Sequence, residues 1–96
     1  MVPALYFVYN KRMYYVYVIR SLKTRKLYFG FSSDLSKRLH SHNSGLNNST
    51  KHGVPWELIY VEGYKSERDA RLRELKLKDY GNSRTRLKKR LEFSLL

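Results

Sequence analysis

Residues 13–20 read MYYVYVIR and residues 27–31 read LYFGF, and these two stretches decide the fold. Both are rich in tyrosine, phenylalanine, valine and isoleucine, which suit a pleated and half-buried surface. The polar stretch SLKTRK between them has the length of a hairpin loop. The sequence therefore predicts a β-hairpin. Gly30, inside its second strand, predicts a bulge or a close approach of another group to the backbone.

A helix and a third strand are predicted after this hairpin. The stretch SSD at 32–34 offers side-chain oxygens that can cap a helix over about 34–43, and Gly45 suits the position after its last turn. Residues 56–61 read WELIYV, a composition typical of a strand.

Two further helices complete the prediction. Ser66, with an acidic residue three positions later, resembles a capping box that opens a helix over 66–80, and Gly81 ends it. Ser83 then begins a basic helix over about 84–93. The expected fold class is α+β: a small three-stranded antiparallel sheet flanked by helices, in the order ββαβα(α).

Length and charge limit the classes of protein that this chain can belong to. A chain of 96 residues has room for one small domain, which we expect at 13–96. Residues 1–12 are expected to be an N-terminal extension or an extra strand; one hypothesis is that Met13 is the true start and that 1–12 is an upstream extension. Twenty Lys and Arg against eight Asp and Glu give a net charge of +12, which favours a polyanionic partner, above all nucleic acid.

Cysteine content and hydropathy exclude several kinds of site. The chain has no cysteine, which excludes disulfides, thiolate metal sites and a cysteine nucleophile. It has no apolar run of the roughly 18 residues that a membrane span needs, and no helix that pairs a clean apolar face with a basic one. We therefore expect a cytoplasmic protein without a membrane partner.

Arg38 and His42 lie on the apolar stripe of the first predicted helix, together with Leu35 and Leu39. Arg38 is either a snorkelling side chain with its head in water or a partly buried cation directed at a phosphate. His42 is either a core histidine or a group that holds or accepts a proton beside that cation.

Tyr17, Tyr28 and Glu74 are the remaining candidates. Most tyrosines are explained by strand propensity, but two phenols that meet across a hairpin beside a basic residue can form a proton-transfer site. Glu74 shares a helix face with Ala70 and Leu77. It is either a solvated acid paired with a basic residue three or four positions away, Arg71 or Lys78, or a ligand for a hard cation.

Basic residues concentrate toward the end of the chain and form either a solvated face or a surface for the phosphate backbone. The residues that we expect to bind nucleic acid are Lys37, Arg71, Arg73, Lys76, Lys78, Arg84, Arg86, Lys88 and Lys89.

Taken together, these features resemble the GIY-YIG nuclease domain, especially its small stand-alone members related to the N-terminal nuclease domain of the bacterial excision-repair nuclease subunit. Tyr15-Val16-Tyr17 stands in place of Gly-Ile-Tyr, and Tyr28-Phe29-Gly30 stands in place of Tyr-Ile-Gly. Three further segments are similar to the family's first helix, third strand and glutamate helix: DLSKRLHSHNSG at 34–45, PWELIYVE at 55–62 and SERDARLRELKLK at 66–78.

The resemblance implies a role for each candidate. Tyr17 and Tyr28 match the two signature tyrosines, which line the site and of which one helps to deprotonate the attacking water. Arg38 matches the arginine that contacts the scissile phosphate, and His42 matches a histidine found in some members. Glu74 matches the single metal-binding glutamate, which implies Mg²⁺ or Mn²⁺.

The implied function is a divalent-metal-dependent endonuclease that hydrolyses phosphodiester bonds. We expect structure- rather than sequence-specific cleavage, DNA rather than RNA as substrate, a role in DNA repair or recombination, and specificity supplied in part by a protein partner. The sequence departs from the family pattern at three places. Tyr15 replaces the leading glycine of the first signature, and Phe31 stands where some members carry a lysine. Many members have an asparagine after the glutamate helix; Asn82 is the only candidate here, and its spacing from Glu74 is short. The alternative is a non-catalytic nucleic-acid-binding module.

Overall fold

Two antiparallel strands form the predicted hairpin in the computed structural model, which describes residues 12–79 and 81–96. Strand β1 spans Tyr14–Ser21 and strand β2 spans Leu27–Ser32. The extension predicted at 1–12 lies, apart from Arg12, outside the described residues.

Strand β3 spans Trp56–Tyr64 and pairs with the other side of β1, so the sheet order is β2-β1-β3. The prediction of 56–61 was too short. Pairing continues to Tyr64, which lies opposite Tyr14, because β1 provides backbone partners along its whole length. The described part of the chain thus has the predicted α+β fold with a three-stranded antiparallel sheet.

Helix α1 spans Leu35–Asn43, as predicted. The side chain of Asp34 accepts the backbone N–H of Lys37 at 3.1 Å and caps the first turn. Gly45 follows the last turn with φ of +76°, a left-handed conformation that glycine adopts at little cost.

Helix α2 spans Glu67–Lys78 and helix α3 spans Asn82–Arg90. Ser66 caps α2, as predicted, but Gly81 does not end it: α2 ends before Asp79, and Gly81 occupies the N-cap position of α3. The predicted start of α3 at Ser83 was therefore wrong, because Ser83 already lies inside the first turn. Among the described residues, no helix combines the length and the apolar character that crossing a membrane requires.

Side chains of β1 alternate between two small cores because successive residues face opposite sides of a sheet. Val16 and Val18 pack with Phe29 of β2 and with three residues from α2 and α3, namely Ala70, Leu77 and Leu87. Tyr17 and Ile19 pack on the other face with Trp56 and with the two leucines of α1, Leu35 and Leu39. The central strand therefore brings Tyr17 under α1.

Candidate active site

A buried chain of hydrogen bonds runs from β1 through α1 to the loop after it. The Tyr17 hydroxyl lies 2.7 Å from Nε2 of His42, and Nδ1 of His42 lies 2.7 Å from the Thr50 hydroxyl. The exposed fractions of Tyr17, His42 and Thr50 are 1%, 0% and 1%. A neutral imidazole donates from one nitrogen and accepts at the other, so this chain can transmit a proton shift between the two hydroxyls.

Thr50 is held in place by the start of β3. The Trp56 indole N–H donates to the Thr50 carbonyl at 2.8 Å. The Asn43 side chain, at the end of α1, accepts the Trp56 backbone N–H at 2.6 Å and donates to the Trp56 carbonyl at 3.0 Å. These bonds fix the distance between α1 and β3, and with it the distance between His42 and Thr50.

Tyr28 of β2 completes an aromatic cluster around the imidazole. Its ring centroid lies 5.1 Å from that of His42 and 6.5 Å from that of Tyr17. A Cβ atom on Gly30 would overlap the Tyr17 ring, so the predicted close approach to this glycine is confirmed. The register of β1 with β2 is unbroken at this point, so no bulge occurs there.

Burial keeps Tyr17 and His42 uncharged. It raises the pKa of the Tyr17 phenol well above its usual value, and the nearby Tyr28 and Glu74 raise it further, against the lowering effect of Arg38. Burial lowers the pKa of His42, and the positive charge of Arg38 lowers it further. At neutral pH the pair therefore consists of a phenol and a neutral imidazole, and the phenol of Tyr17 is a poor base.

Arg38 of α1 is exposed, which agrees with a side chain whose head lies in water and contradicts the alternative of a partly buried cation. Leu35 and Leu39, on either side of it, pack on the core beneath α1. The guanidinium lies close enough to Tyr17 and His42 to shift both pKa values. It can thus meet a ligand in solvent without leaving the cluster.

Glu74 of α2 approaches the same cluster from another direction. Its carboxylate pairs with the Lys78 ammonium at 3.1 Å, and its side chain is only 19% exposed. The ammonium also lies 5.3 Å from the centre of the Tyr28 ring. The pairing with Lys78 is the one that the structural interpretation of Glu74 predicted, but the carboxylate is half-buried beside the phenols rather than solvated.

The five predicted site residues therefore converge from β1, β2, α1 and α2. Tyr28, Arg38 and Glu74 retain access to solvent, whereas Tyr17 and His42 do not. Nothing in the sequence marked Thr50, which is a polar residue in a polar loop. Only its long-range contact with His42 shows its position in the site.

The donor set of this cluster suits one kind of metal ion. Residues 12–79 and 81–96 contain no group of three or more His, Cys, Asp or Glu side chains that could hold a metal. Zinc prefers four such ligands, or three and a water. Mg²⁺ accepts one carboxylate when substrate phosphate and water supply the other oxygens. Glu74 alone therefore fits a hard divalent cation, provided that Lys78 shares or yields the carboxylate.

Two of the three departures from the family pattern, Tyr15 and Phe31, occupy structural positions. Tyr15 pairs with Ser32 and Gly63 in the sheet. The Phe31 ring stacks on Tyr14 with a centroid distance of 6.2 Å, and the Arg71 guanidinium lies 4.2 Å from its centre. Asn82 is exposed at the first turn of α3.

The predicted basic surface divides into exposed cations and cations that the fold uses. Seven side chains are exposed: Lys37, Arg71, Lys76, Lys78, Arg86, Lys88 and Lys89. Arg73 is instead held by Glu62, with Nε at 2.9 Å from Oε1 and Nη2 at 2.9 Å from Oε2. Arg84 donates to the Leu77 carbonyl at 2.7 Å. We therefore leave Arg73 out of the surface that we propose below.

Comparison with known proteins agrees with this arrangement. Residues 13–90 match the family model described as the GIY-YIG catalytic domain. A UPF0213 protein of Bacillus pumilus is 38% identical over 83 residues, covering 85% of this chain and 80% of that protein. A UPF0213 protein of Clostridium perfringens is 36% identical over 67 residues, covering 69% of this chain and 71% of that protein.

A solved structure supports the fold. The solution NMR structure of a UPF0213 protein from Bacillus halodurans matches with a TM-score of 0.51 and 24% identity, over 82% of this chain and 84% of that one.

Proposed function

This chain belongs to the GIY-YIG family of nucleases, and we propose that it is a divalent-metal-dependent endonuclease that cleaves DNA by structure rather than by sequence. The observation that carries the proposal is the meeting of Tyr28, Arg38 and Glu74 at the accessible side of the buried Tyr17–His42 pair. These are the residue types that phosphodiester hydrolysis needs: a proton acceptor, a cation for the phosphate and a carboxylate for the metal.

Arg38 binds a non-bridging oxygen of the scissile phosphate in this proposal. Phosphoryl transfer passes through a loose transition state in which charge spreads over the phosphate oxygens, so catalysis depends mainly on positioning and charge stabilisation. A guanidinium offers a planar fork to two oxygens and stays charged at all relevant pH values. Because Arg38 is exposed, it can reach a phosphate on a large ligand.

Tyr28 acts as its phenolate, having released its own proton to solvent; it orients the attacking water and accepts the proton of that water, while the leaving 3′ oxygen takes a proton from solvent. The oxygen of that water attacks phosphorus, and the bond from phosphorus to the 3′ oxygen breaks. The Lys78 ammonium, 5.3 Å from the ring centre, supplies positive charge beside the phenol while the proton moves. The resemblance leaves open which of the two signature tyrosines takes the proton, and Tyr17 is the other candidate. Its raised pKa and full burial instead make it a positioning residue, which His42 and Thr50 hold in turn.

Glu74 would hold the divalent cation, which neutralises developing charge on the phosphate when bound. Its half-buried carboxylate fits this task because partial desolvation strengthens the attraction for a cation. When Glu74 holds the cation, the Lys78 ammonium can pair either with the Glu74 carboxylate or with the substrate phosphate.

The proposal is tested by cleavage of labelled single strands, duplexes, flaps, branched DNA and RNA with Mg²⁺, Mn²⁺ or EDTA. We expect cutting of at least one branched or flapped DNA with metal and none with EDTA. Equal cutting of duplexes of one shape but different sequence would support structural specificity. Binding to these substrates without any cutting, under every metal, would overturn the proposal and favour the non-catalytic binding module.

A further inference from the structure

A cationic groove lies beside the candidate active site. Its volume is about 470 Å³. Leu27 and Phe29 of β2 line it, so it opens on the face of that strand opposite to Tyr28. Five of its lining residues are basic and, within the described part of the chain, none is acidic: Arg20, Arg25, Lys26, Arg84 and Lys88. Arg20 is paired with Glu57, whose carboxylate lies 3.9 Å from its Nη2. The other four positive charges repel one another, so an anion bound among them is favoured.

Two of these cations are fixed in place by the fold. Arg20 donates from Nη1 to the Leu95 carbonyl at 2.7 Å, and Arg84 donates from Nε to the Leu77 carbonyl at 2.7 Å. The Arg84 guanidinium also lies 4.5 Å from the centre of the Phe29 ring. Because both side chains are already ordered, contact with an anion costs them little conformational entropy. They give the groove a preformed wall.

Arg25 adds a second, independent observation. It lies in the turn between β1 and β2 with φ of +65°, a conformation that suits glycine or asparagine and strains an arginine. Its backbone N–H donates to the Ser21 carbonyl at 2.9 Å, so the turn itself holds the strained conformation. Arginine therefore strains the backbone of this turn, but its long side chain places a positive charge at the groove.

A smaller hollow connects the groove with Tyr28 of the candidate active site. Lys26 and Leu27 line both the groove and a hollow of about 240 Å³ that Tyr28 also lines. In the described residues β2 is one of the two edge strands of the sheet. A nucleic-acid strand can thus pass around this edge, from Tyr28 on one face, past Lys26, to the basic groove on the other.

We propose that this groove binds the phosphodiester backbone of the nucleic acid that is cut at the candidate active site. The proposal rests on the proposed function for the identity of the ligand. It assigns contact roles to Arg25 and Lys26, which the sequence did not place on the binding surface, while the buried Arg20 supports the wall of the groove. The bonds would be made to phosphate oxygens and would carry no base specificity.

The test compares two triple variants that lose the same charge. The groove variant carries Arg25→Asn, Lys26→Gln and Lys88→Gln. The control variant carries Lys51→Gln, Lys65→Gln and Arg68→Gln, three exposed residues that do not line the groove. Affinity for a labelled forked DNA is measured by fluorescence anisotropy in EDTA, over a range of salt concentrations. EDTA prevents cleavage, so the measurement is independent of catalysis.

We expect the groove variant to bind at least about tenfold more weakly than the control, with a salt dependence reduced by about two to three units in the logarithmic plot. Equal affinity of the two variants would overturn the proposal. A groove variant whose loss of affinity is fully explained by the fraction of unfolded protein at the temperature of the measurement would also overturn it. Arg25→Asn alone relieves backbone strain, so we expect it to keep or raise the unfolding temperature while weakening binding.

The outcomes separate this proposal from the proposed function. If the wild type cuts DNA and both variants bind equally well, the proposal for the groove is wrong and the proposed nuclease activity stands. A wild type that binds through the groove but never cuts would remove the nuclease and leave the groove as a nucleic-acid-binding site.

Discussion

The Tyr17 hydroxyl and Nε2 of His42 lie 2.7 Å apart in the interior of the protein, 25 residues apart in the chain. Neither side chain reaches solvent, so neither can touch a substrate directly in this structure. Their place is one layer beneath Tyr28, which contacts both rings. The account therefore divides the predicted site into residues that meet the phosphate and residues that hold them in position.

Thr50→Val tests whether the buried chain depends on its outermost hydroxyl. Valine keeps the volume of threonine but leaves Nδ1 of His42 without a partner in a buried place, which costs about 1–3 kcal/mol. We expect this loss in the free energy of unfolding, measured by urea denaturation. Thr85→Val makes the same change at an exposed position of α3, where we expect a change within about 0.5 kcal/mol. Similar values for the two variants would contradict the role given to Thr50.

His42 makes stability depend on pH in a direction that can be stated. Its pKa is lower in the folded protein than the ordinary value of 6.5, because of burial and then Arg38. As pH falls below about 6.5, His42 is protonated in the unfolded chain but stays neutral in the folded protein. The free energy of unfolding therefore decreases by up to about 1.4 kcal/mol per pH unit.

Urea denaturation between pH 5 and 7.5 measures this effect. We expect His42→Gln to flatten the slope below pH 6.5, and His52→Gln, at an exposed histidine, to leave it as in wild type. A slope that survives in His42→Gln would show that another group carries it.

Much of the fold could be predicted because its signals are local. Tyr, Val and Ile in β1, Asp34 before α1 and Ser66 before α2 act on neighbouring backbone, and the structure has the elements that they predict. The prediction that Gly81 ends α2 was wrong because glycine suits both the end of one helix and the N-cap of the next, and the residue type does not distinguish these positions. Strand β3 was predicted too short because its length depends on β1, a non-local partner.

The candidate site could be predicted from a resemblance that spans about residues 13–80, but which of its residues are buried and which are exposed could not. Burial of Tyr17, exposure of Arg38 and the contact of Thr50 with His42 depend on how α1 packs on the sheet. The ion pair of Arg73 with Glu62 likewise joins α2 to β3, and no spacing in the sequence indicates it. Arg25 escaped notice because only its backbone conformation sets it apart.

Arg73 tests this last distinction between cations that support the fold and cations that face solvent. Arg73 forms the ion pair of the half-buried Glu62 carboxylate, which otherwise accepts a neutral donor, the Tyr60 hydroxyl, at 2.8 Å. Arg73→Ala therefore leaves the charge of this carboxylate unpaired. We expect a loss of about 2–3 kcal/mol in the free energy of unfolding. Arg71→Ala breaks an exposed pair with Glu67, for which we expect about 1 kcal/mol or less. Equal losses would contradict the structural role of Arg73.

The central claim is that Glu74 serves a metal-dependent cleavage reaction, and helix α2 provides a matched control for it. Glu74 pairs with Lys78 and Glu67 pairs with Arg71 at the same spacing on the same helix. Single-turnover cleavage of the best DNA substrate is measured with Mg²⁺ and with EDTA, for wild type, Glu74→Gln and Glu67→Gln.

We predict that Glu74→Gln lowers the Mg²⁺-dependent rate about 100-fold or more, while it binds DNA as wild type does in EDTA and while Glu67→Gln cuts normally. Cleavage by Glu74→Gln at the rate of wild type, or cleavage by wild type in EDTA, would contradict the account.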